Sequence, residues 1–260
     1  MTYPYAPAIT AGAALGGAVF GSFLNVVIYR VPAGKSLLPN SSCFHCGTEL
    51  KWRDNVPVLG WLALRGRARC CGNRIPARYP AIEALTAVLF ALIAALVAPA
   101  AMLTAYVTTA GLIALSAIDL DTKTLPKKII WPTAAAAAVG VGLHTALRHD
   151  PGVALRAAAC ALAVSGVFLL IHLAQPSGFG FGDVRLGVLI GLATGATSVW
   201  AALYGVVAAF ALGSAVGVAL VAGRRAERKT ALPFGPFLAA GCYLALVAGF
   251  MHHPVLIVGG

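Results

Sequence analysis

Charged residues are scarce in this sequence. Only 10% of its 260 residues are Asp, Glu, Lys or Arg, whereas 60% are hydrophobic. Soluble domains carry about 25% charged residues, so this composition argues against a soluble globular fold. Its apolar runs are roughly 20 residues long, which is the length that a helix needs to cross a bilayer. The sequence therefore predicts an all-α polytopic membrane protein.

Several familiar signatures are also missing. The absence of a His-Glu-x-x-His pattern disfavours a zinc metalloprotease, and the absence of Gly-x-Ser-x-Gly disfavours a serine hydrolase. No Lys or Arg precedes the first apolar run, at about residues 8–29. A secretory signal needs a positive segment there, so this run is interpreted as a retained helix whose N-terminus lies outside.

Eight apolar runs follow one another along the chain. A polar insert at about residues 30–80, rich in Pro, Gly, Cys and Arg, separates the first run from the second. No strong internal repeat is visible in the sequence. The predicted spans are residues 8–29, 81–98, 101–118, 129–147, 153–174, 186–196, 199–222 and 233–250.

The basic residues test this count. With the N-terminus outside, segments 30–80, 119–128, 175–185 and 223–232 face the cytoplasm and hold 17 of the 19 Lys and Arg residues. This distribution follows the positive-inside rule and supports eight spans. The net charge of +11 is then explained by orientation and by contact with anionic lipid, and nucleic-acid binding is not predicted.

Four of the eight acidic residues lie at or within the ends of apolar runs: Glu83, Asp119, Asp121 and Asp183. A carboxylate is costly there, which makes each a candidate for function. Asp119 and Asp183 are predicted at similar depth on the cytoplasmic side. Two neighbouring carboxyls share a proton, so one can activate water while the other donates to a scissile carbonyl. A helix cap at Asp183 and a proton-coupled transporter are the alternatives.

The motifs around these residues resemble a known family. Gly180-Phe181-Gly182-Asp183 matches the motif of GxGD intramembrane aspartyl proteases, and Asp119 with Pro126 is similar to the partner motif of bacterial type IV prepilin peptidases. Further matches run in one order along nearly the whole chain: residues 21–32 (GSFLNVVIYRVP), Trp52 with Asn55-Val56-Pro57, residues 64–67 (LRGR), residues 78–83 (RYPAIE) and residues 233–237 (PFGPF).

The resemblance implies a multi-pass aspartyl endopeptidase of the bacterial plasma membrane. It implies that Asp119 and Asp183 are catalytic, without a metal, and that Asp121 is a neighbour of Asp119. The expected partners are type IV pilin-like precursors, cleaved after a Gly on the cytoplasmic side. The expected domains are a first span (1–29), a cytoplasmic Cys-containing insert (30–80) and a peptidase domain (81–260).

The cysteines of the insert predict a structural zinc site. Cys43 and Cys46 form a Cys-x-x-Cys pair, and Cys70 and Cys71 follow about 24 residues later. The family pattern places Ala68 where a third cysteine is expected, so Cys70 is the substitute ligand. The alternatives are His45 or a water as the last ligand, and a loop without metal. Cys160 and Cys242, inside apolar runs, are interpreted as packed thiols.

The resemblance also implies a second activity, the methylation of the new N-terminus with S-adenosylmethionine. Asn25, Arg30 and Glu83 are the residues expected to contribute. Their structural alternatives are an orienting charge for Arg30 and a helix–helix hydrogen bond for Asn25. A zinc-stapled scaffold of a secretion apparatus remains as a further class, which needs the insert but not the carboxylates.

Overall fold

The computed structural model describes residues 6–38, 41–43, 45–176, 178–224 and 232–252. Within these ranges the chain is helical, with isolated β-bridges and no β-strand. The helices are α1 (Ala6–Arg30), α2 (Leu59–Ala63), α3 (Arg78–Leu96), α4 (Pro99–Thr122), α5 (Lys127–Arg148), α6 (Pro151–Ala174), α7 (Phe181–Thr197), α8 (Val199–Ala222) and α9 (Gly235–His252).

Six of these helices are long and apolar enough to cross a membrane: α1, α3, α4, α5, α6 and α8. The prediction of an all-α polytopic membrane protein is thus confirmed. The two other predicted spans correspond to the shorter helices α7 and α9. Residues 225–231, in the last predicted cytoplasmic segment, lie outside the described residues.

The chain divides into two compact units, Met1–Ala95 and Leu96–Gly260. The first unit contains α1, the polar insert and α3. Two glycines let α1 approach α3 closely, because a Cβ at Gly17 would lie 2.8 Å from the Thr86 carbonyl oxygen and one at Gly21 would lie 2.7 Å from the Glu83 Cα. Small residues at such crossings are typical of membrane helices.

The second unit contains α4 to α9. Among α4 to α8, helices α4 and α7 bury the largest share of their residues, and these two carry Asp119 and Asp183. Gly191 and Gly195 bring α7 against α6, at Ala161 and Cys160. The buried thiols of Cys160 and Cys242 lie in α6 and α9. The predicted carboxylate pair is therefore placed on the two central helices of this unit.

Candidate active site and cysteine cluster

Asp119 lies in the last turn of α4 and is only 5% exposed. Its Oδ2 atom accepts a 2.8 Å hydrogen bond from the backbone N–H of Gly235, the first residue of α9. A Cβ at position 235 would lie 2.9 Å from the same oxygen. The lack of a side chain at Gly235 is what allows this contact, since a real Cβ cannot approach so closely.

Asp183 lies in the first turn of α7 and is also buried. Its Oδ2 atom accepts a 3.2 Å hydrogen bond from the backbone N–H of Gly180, which fixes the carboxyl group at the start of the helix. Its Oδ1 atom is buried and has no hydrogen-bond partner among the described residues. A buried polar atom without a partner is costly, and it marks this oxygen as a candidate for chemistry.

The segments that carry these two acids meet. A Cβ at Gly182 would lie 2.8 Å from the Cβ of Leu125, which belongs to the turn after α4. Asp121, the sequence neighbour of Asp119, is exposed. The structure thus brings together the segments that carry the predicted pair and leaves Asp121 at the surface.

Two phenylalanines connect the backbone donors of this site. Phe179 precedes Gly180, Phe234 precedes Gly235, and their rings pack with centroids 5.7 Å apart. Phe168 of α6 and Phe210 of α8 extend the cluster, with centroids 5.3 Å from Phe179 and 5.0 Å from Phe234. Aromatic packing of this kind holds the two loops in register.

His172 supports the same loop, a role that was not predicted from the sequence. Its Nδ1 atom lies 2.7 Å from the carbonyl oxygen of Phe179. A carbonyl only accepts hydrogen bonds, so Nδ1 carries the proton and donates it. Because the partner is a backbone carbonyl, no side-chain pattern in the sequence could have revealed it.

The four cysteines of the insert form one cluster. The sulfur atoms of Cys43, Cys46, Cys70 and Cys71 all lie within 4.8 Å of one another. The Cys43–Cys71 and Cys46–Cys70 sulfur distances are 3.7 and 3.2 Å. A tetrahedral zinc ion with Zn–S bonds of about 2.3 Å needs sulfurs about 3.8 Å apart, so the cluster fits this metal. His45 is not part of it.

The insert contains an internal repeat that the sequence did not show. Residues 66–75 repeat the turn of residues 41–43 and 45–50 with a shift of 25 positions. Three backbone hydrogen bonds recur with this shift: Cys43 N to Thr48 O and Ala68 N to Asn73 O, Gly47 N to Cys43 O and Gly72 N to Ala68 O, Leu50 N to Ser41 O and Ile75 N to Gly66 O.

This repeat explains how adjacent cysteines reach one site. Ala68 takes the place of Cys43, and Cys71 takes the place of Cys46. Gly47 and Gly72 have φ values of 71° and 70°, which turn the chain in the same way. Cys70 has no cysteine counterpart in the first turn, yet its sulfur reaches the cluster. The third ligand is thus Cys70, which lies two residues after Ala68, the position that corresponds to Cys43.

Polar neighbours also recur around the cluster. Thr48 contacts the Cys46 sulfur at 3.2 Å, and the Asn73 amide donates to the Cys71 sulfur at 3.5 Å. Thr48, through its hydroxyl and backbone and aided by Cys70, lowers the pKa of Cys46 to about 6. The thiolate is the form that binds a metal, so Cys46 is prepared to act as a ligand.

A cavity of about 1120 Å³ adjoins the cluster in the first unit. Its lining includes Asn25, Arg30 and Glu83, the three residues expected to contribute to methylation. Asn25 donates a 3.1 Å hydrogen bond to the Tyr79 carbonyl, so its interhelical role is observed as well. The aromatic side chains of Tyr29, Trp61 and Tyr79 also line the space.

The fold and the paired carboxyls define a polytopic all-α membrane protein with a buried acid pair at two helix ends. Residues 15–97 match the bacterial peptidase A24 N-terminal domain, and residues 106–221 match the type IV leader peptidase family.

The chain is similar to proteins named prepilin leader peptidase/N-methyltransferase. That of Burkholderia pseudomallei strain 1026b is 37% identical over 94% of this chain and 86% of the relative. Those of Pseudomonas putida and Aeromonas hydrophila are 34% and 32% identical, over 90% and 89% of this chain and 88% of each relative. No solved structure matches the chain. The chain belongs to the type IV leader peptidase family.

Proposed function

We propose that this protein is a membrane aspartyl endopeptidase that removes the leader from type IV prepilin-like precursors, with Asp119 and Asp183 as its catalytic pair. The observation that carries the proposal is the presence of two buried carboxyls, at the end of α4 and the start of α7, each held by a glycine N–H. The names of the relatives give the class of substrate.

The hydrogen bonds indicate which acid acts as the base and which acts as the proton donor. Both acids accept an N–H at the start of a helix, where the dipole favours a negative charge, but of the two only Asp183 has a buried oxygen without a partner among the described residues. In the proposed mechanism the Asp119 carboxylate takes a proton from water, and the oxygen of that water attacks the scissile carbonyl carbon. Asp183 carries a proton on the unpartnered Oδ1 and donates it to the carbonyl oxygen.

The second step regenerates the pair. The tetrahedral intermediate collapses when its nitrogen receives the proton that Asp119 took from water. The C–N bond then breaks, one hydroxyl proton returns to Asp183, and the leader leaves as a carboxylic acid. Replacing either acid by Asn removes one of these proton transfers, whereas Asp121→Asn leaves both in place.

The proposed orientation places both acids and the insert on the cytoplasmic side of the inner membrane. It rests on the concentration of 17 of the 19 Lys and Arg residues in segments 30–80, 119–128, 175–185 and 223–232. The precursor would then be cut on the cytoplasmic side, after the Gly that ends its leader. Residues 30–80 would form the cytoplasmic insert, and residues 81–260 the peptidase domain.

The proposed metal is a structural zinc ion held by Cys43, Cys46, Cys70 and Cys71. The Cys43–Cys71 distance of 3.7 Å supports it, because it matches the edge of a zinc–thiolate tetrahedron, and all four sulfurs lie within 4.8 Å of one another. An insert of about 50 residues has little apolar core, so a metal supplies stability that packing does not. Measurement of zinc bound per chain after purification without added metal tests this assignment.

The proposed second activity is methylation of the new N-terminus. The relatives named N-methyltransferase and the cavity of the first unit support it. S-adenosylmethionine supplies an electrophilic methyl group when bound. The cavity is large enough for a nucleoside-sized ligand, and Tyr29, Trp61 and Tyr79 offer aromatic surface for a purine ring. The mass of the processed product, with and without this donor, tests the activity.

A further inference from the structure

The cavity of the first unit contains a buried carboxylate whose charge is not balanced. Glu83 is 8% exposed and lines the cavity at the α3 side. It accepts a 2.7 Å hydrogen bond from the backbone N–H of Val58, and the Ser22 side chain also bonds to it. Among the described residues no Lys, Arg or His forms an ion pair with it. A buried carboxylate without a cation is costly, which suits a site that binds one.

The Val58 N–H that donates to the Glu83 carboxylate belongs to a strained turn. Val58 has φ 60° and ψ −52°, and the N–H of Leu59 donates to the carbonyl oxygen of Pro57 at 2.6 Å. These values describe a classic γ-turn, a rare and strained conformation, and Val58 is β-branched. Strain of this kind persists at sites where the surrounding structure fixes it, and such sites are often functional.

The cavity has polar walls of two kinds. Ser22, Asn25 and Glu83 come from the apolar helices α1 and α3, and they form its floor. The insert contributes the basic residues Lys51, Arg69 and Arg74, of which Arg69 is paired with Asp54, and the end of α1 contributes Arg30. Glu83 attracts an ammonium group, whereas these basic residues repel it.

The geometry points to Glu83 as the residue that binds the new N-terminal ammonium of the processed precursor. This inference rests on the proposed function, because cleavage ahead of an apolar helix creates an amine at the end of that helix. The floor is built from the apolar helices themselves, so an amine carried by a membrane helix can reach it. The carboxylate then accepts the proton that the nitrogen must lose before it can act as a nucleophile.

The structural alternative is that Glu83 only holds the strained turn. Glu83→Gln separates the two roles, since the amide oxygen still accepts the Val58 N–H while the negative charge is lost. A second variant, Val58→Gly with Glu83→Gln, removes the strain, because Gly adopts positive φ without penalty. If the turn alone mattered, Glu83→Gln would keep the wild-type preference for the amine, and the double variant would show that preference as well.

The test measures amine binding directly, without a methyl donor. Full-length protein in detergent is titrated calorimetrically with a five-residue peptide that has an apolar first residue and a free α-amine, and with the same peptide acetylated at its N-terminus. We expect the wild type to bind the free amine about tenfold or more tightly than the acetylated peptide, and Glu83→Gln to lose this preference, with an unchanged unfolding temperature.

Three results would overturn the inference. They are an equal preference in the wild type and Glu83→Gln, no preference in the wild type, and recovery of the preference in the double variant. Failure of the proposed methylation is distinguishable from these. In that case the wild type prefers the free amine and Glu83→Gln does not, but no methyl mass appears on the processed precursor.

Discussion

The backbone N–H of Gly235 donates a 2.8 Å hydrogen bond to Oδ2 of Asp119, although 116 residues separate the two in sequence. The bond joins the start of α9 to the last turn of α4. It fixes the orientation of one carboxyl while Gly180 fixes the other through a bond to Asp183. The geometry of the candidate active site therefore depends on the position of α9 as well as on the two helices that carry the acids.

Substitution of Gly235 is expected to damage the site without removing either acid. In Gly235→Ala the new Cβ would lie 2.9 Å from the Asp119 Oδ2, so the carboxyl must move. Because small misplacements of catalytic groups are costly, we expect kcat for leader cleavage to fall roughly tenfold to a hundredfold. Gly142→Ala in α5 is the matched control, since no atom lies within 4 Å of its new Cβ. Equal kcat values for the two variants would contradict the role of Gly235.

The position of Cys70, two residues after Ala68, predicts that zinc binding lost in a Cys70 variant can be restored by a second substitution. Cys70→Ser is expected to weaken zinc binding, because it removes one of four sulfurs. Ala68 occupies the place that Cys43 has in the first turn, so Ala68→Cys added to Cys70→Ser restores a regular pair of turns. We expect the double variant to regain zinc, measured as metal per chain and as resistance to a chelator.

The outcome that argues against this reading of the repeat is a double variant as poor in zinc as Cys70→Ser alone. Cys160→Ser serves as the control, because that thiol is buried in α6 and does not belong to the cluster. Its zinc content is expected to equal that of the wild type.

His172 is expected to act through the loop that precedes Asp183. Its Nδ1–H donates to the carbonyl of Phe179, so His172→Phe removes the donor and leaves that carbonyl without its partner. We expect a stability loss of about 1 kcal/mol and a several-fold drop in kcat. His172→Asn offers an N–H near the same position and should retain more activity. Thermal unfolding and cleavage kinetics of both variants check this, and the reverse order of activities would count against it.

The sequence predicted the helices well because hydropathy and charge are local properties. Each of the eight apolar runs corresponds to a helix, the shortest of which, α7, has 17 residues. The largest boundary difference is at α7, which begins at Phe181 although the run was expected at residue 186. The glycines before Asp183 resemble a loop in sequence, but the bond from Gly180 to the Asp183 carboxyl allows the helix to begin earlier.

The site was only partly predictable. Motif resemblance selected Asp119 and Asp183, whose side chains do appear in the sequence pattern. The contacts that hold them are made by the backbone N–H groups of Gly180 and Gly235, which leave no such pattern. The same is true of the Phe179 carbonyl that bonds to His172. The repeat within the insert was not predicted from the sequence for the same reason. It consists of shared backbone hydrogen bonds, and its two turns have only a Cys-Gly pair in common.

The central claim is tested most directly by precursor cleavage in detergent by the wild type, Asp119→Asn, Asp183→Asn and Asp121→Asn, with products identified by mass. We predict a shortened precursor from the wild type and from Asp121→Asn, and none from the other two at matched protein concentration and unfolding temperature. Wild-type rates of cleavage by Asp119→Asn or by Asp183→Asn would contradict the assignment of the catalytic pair.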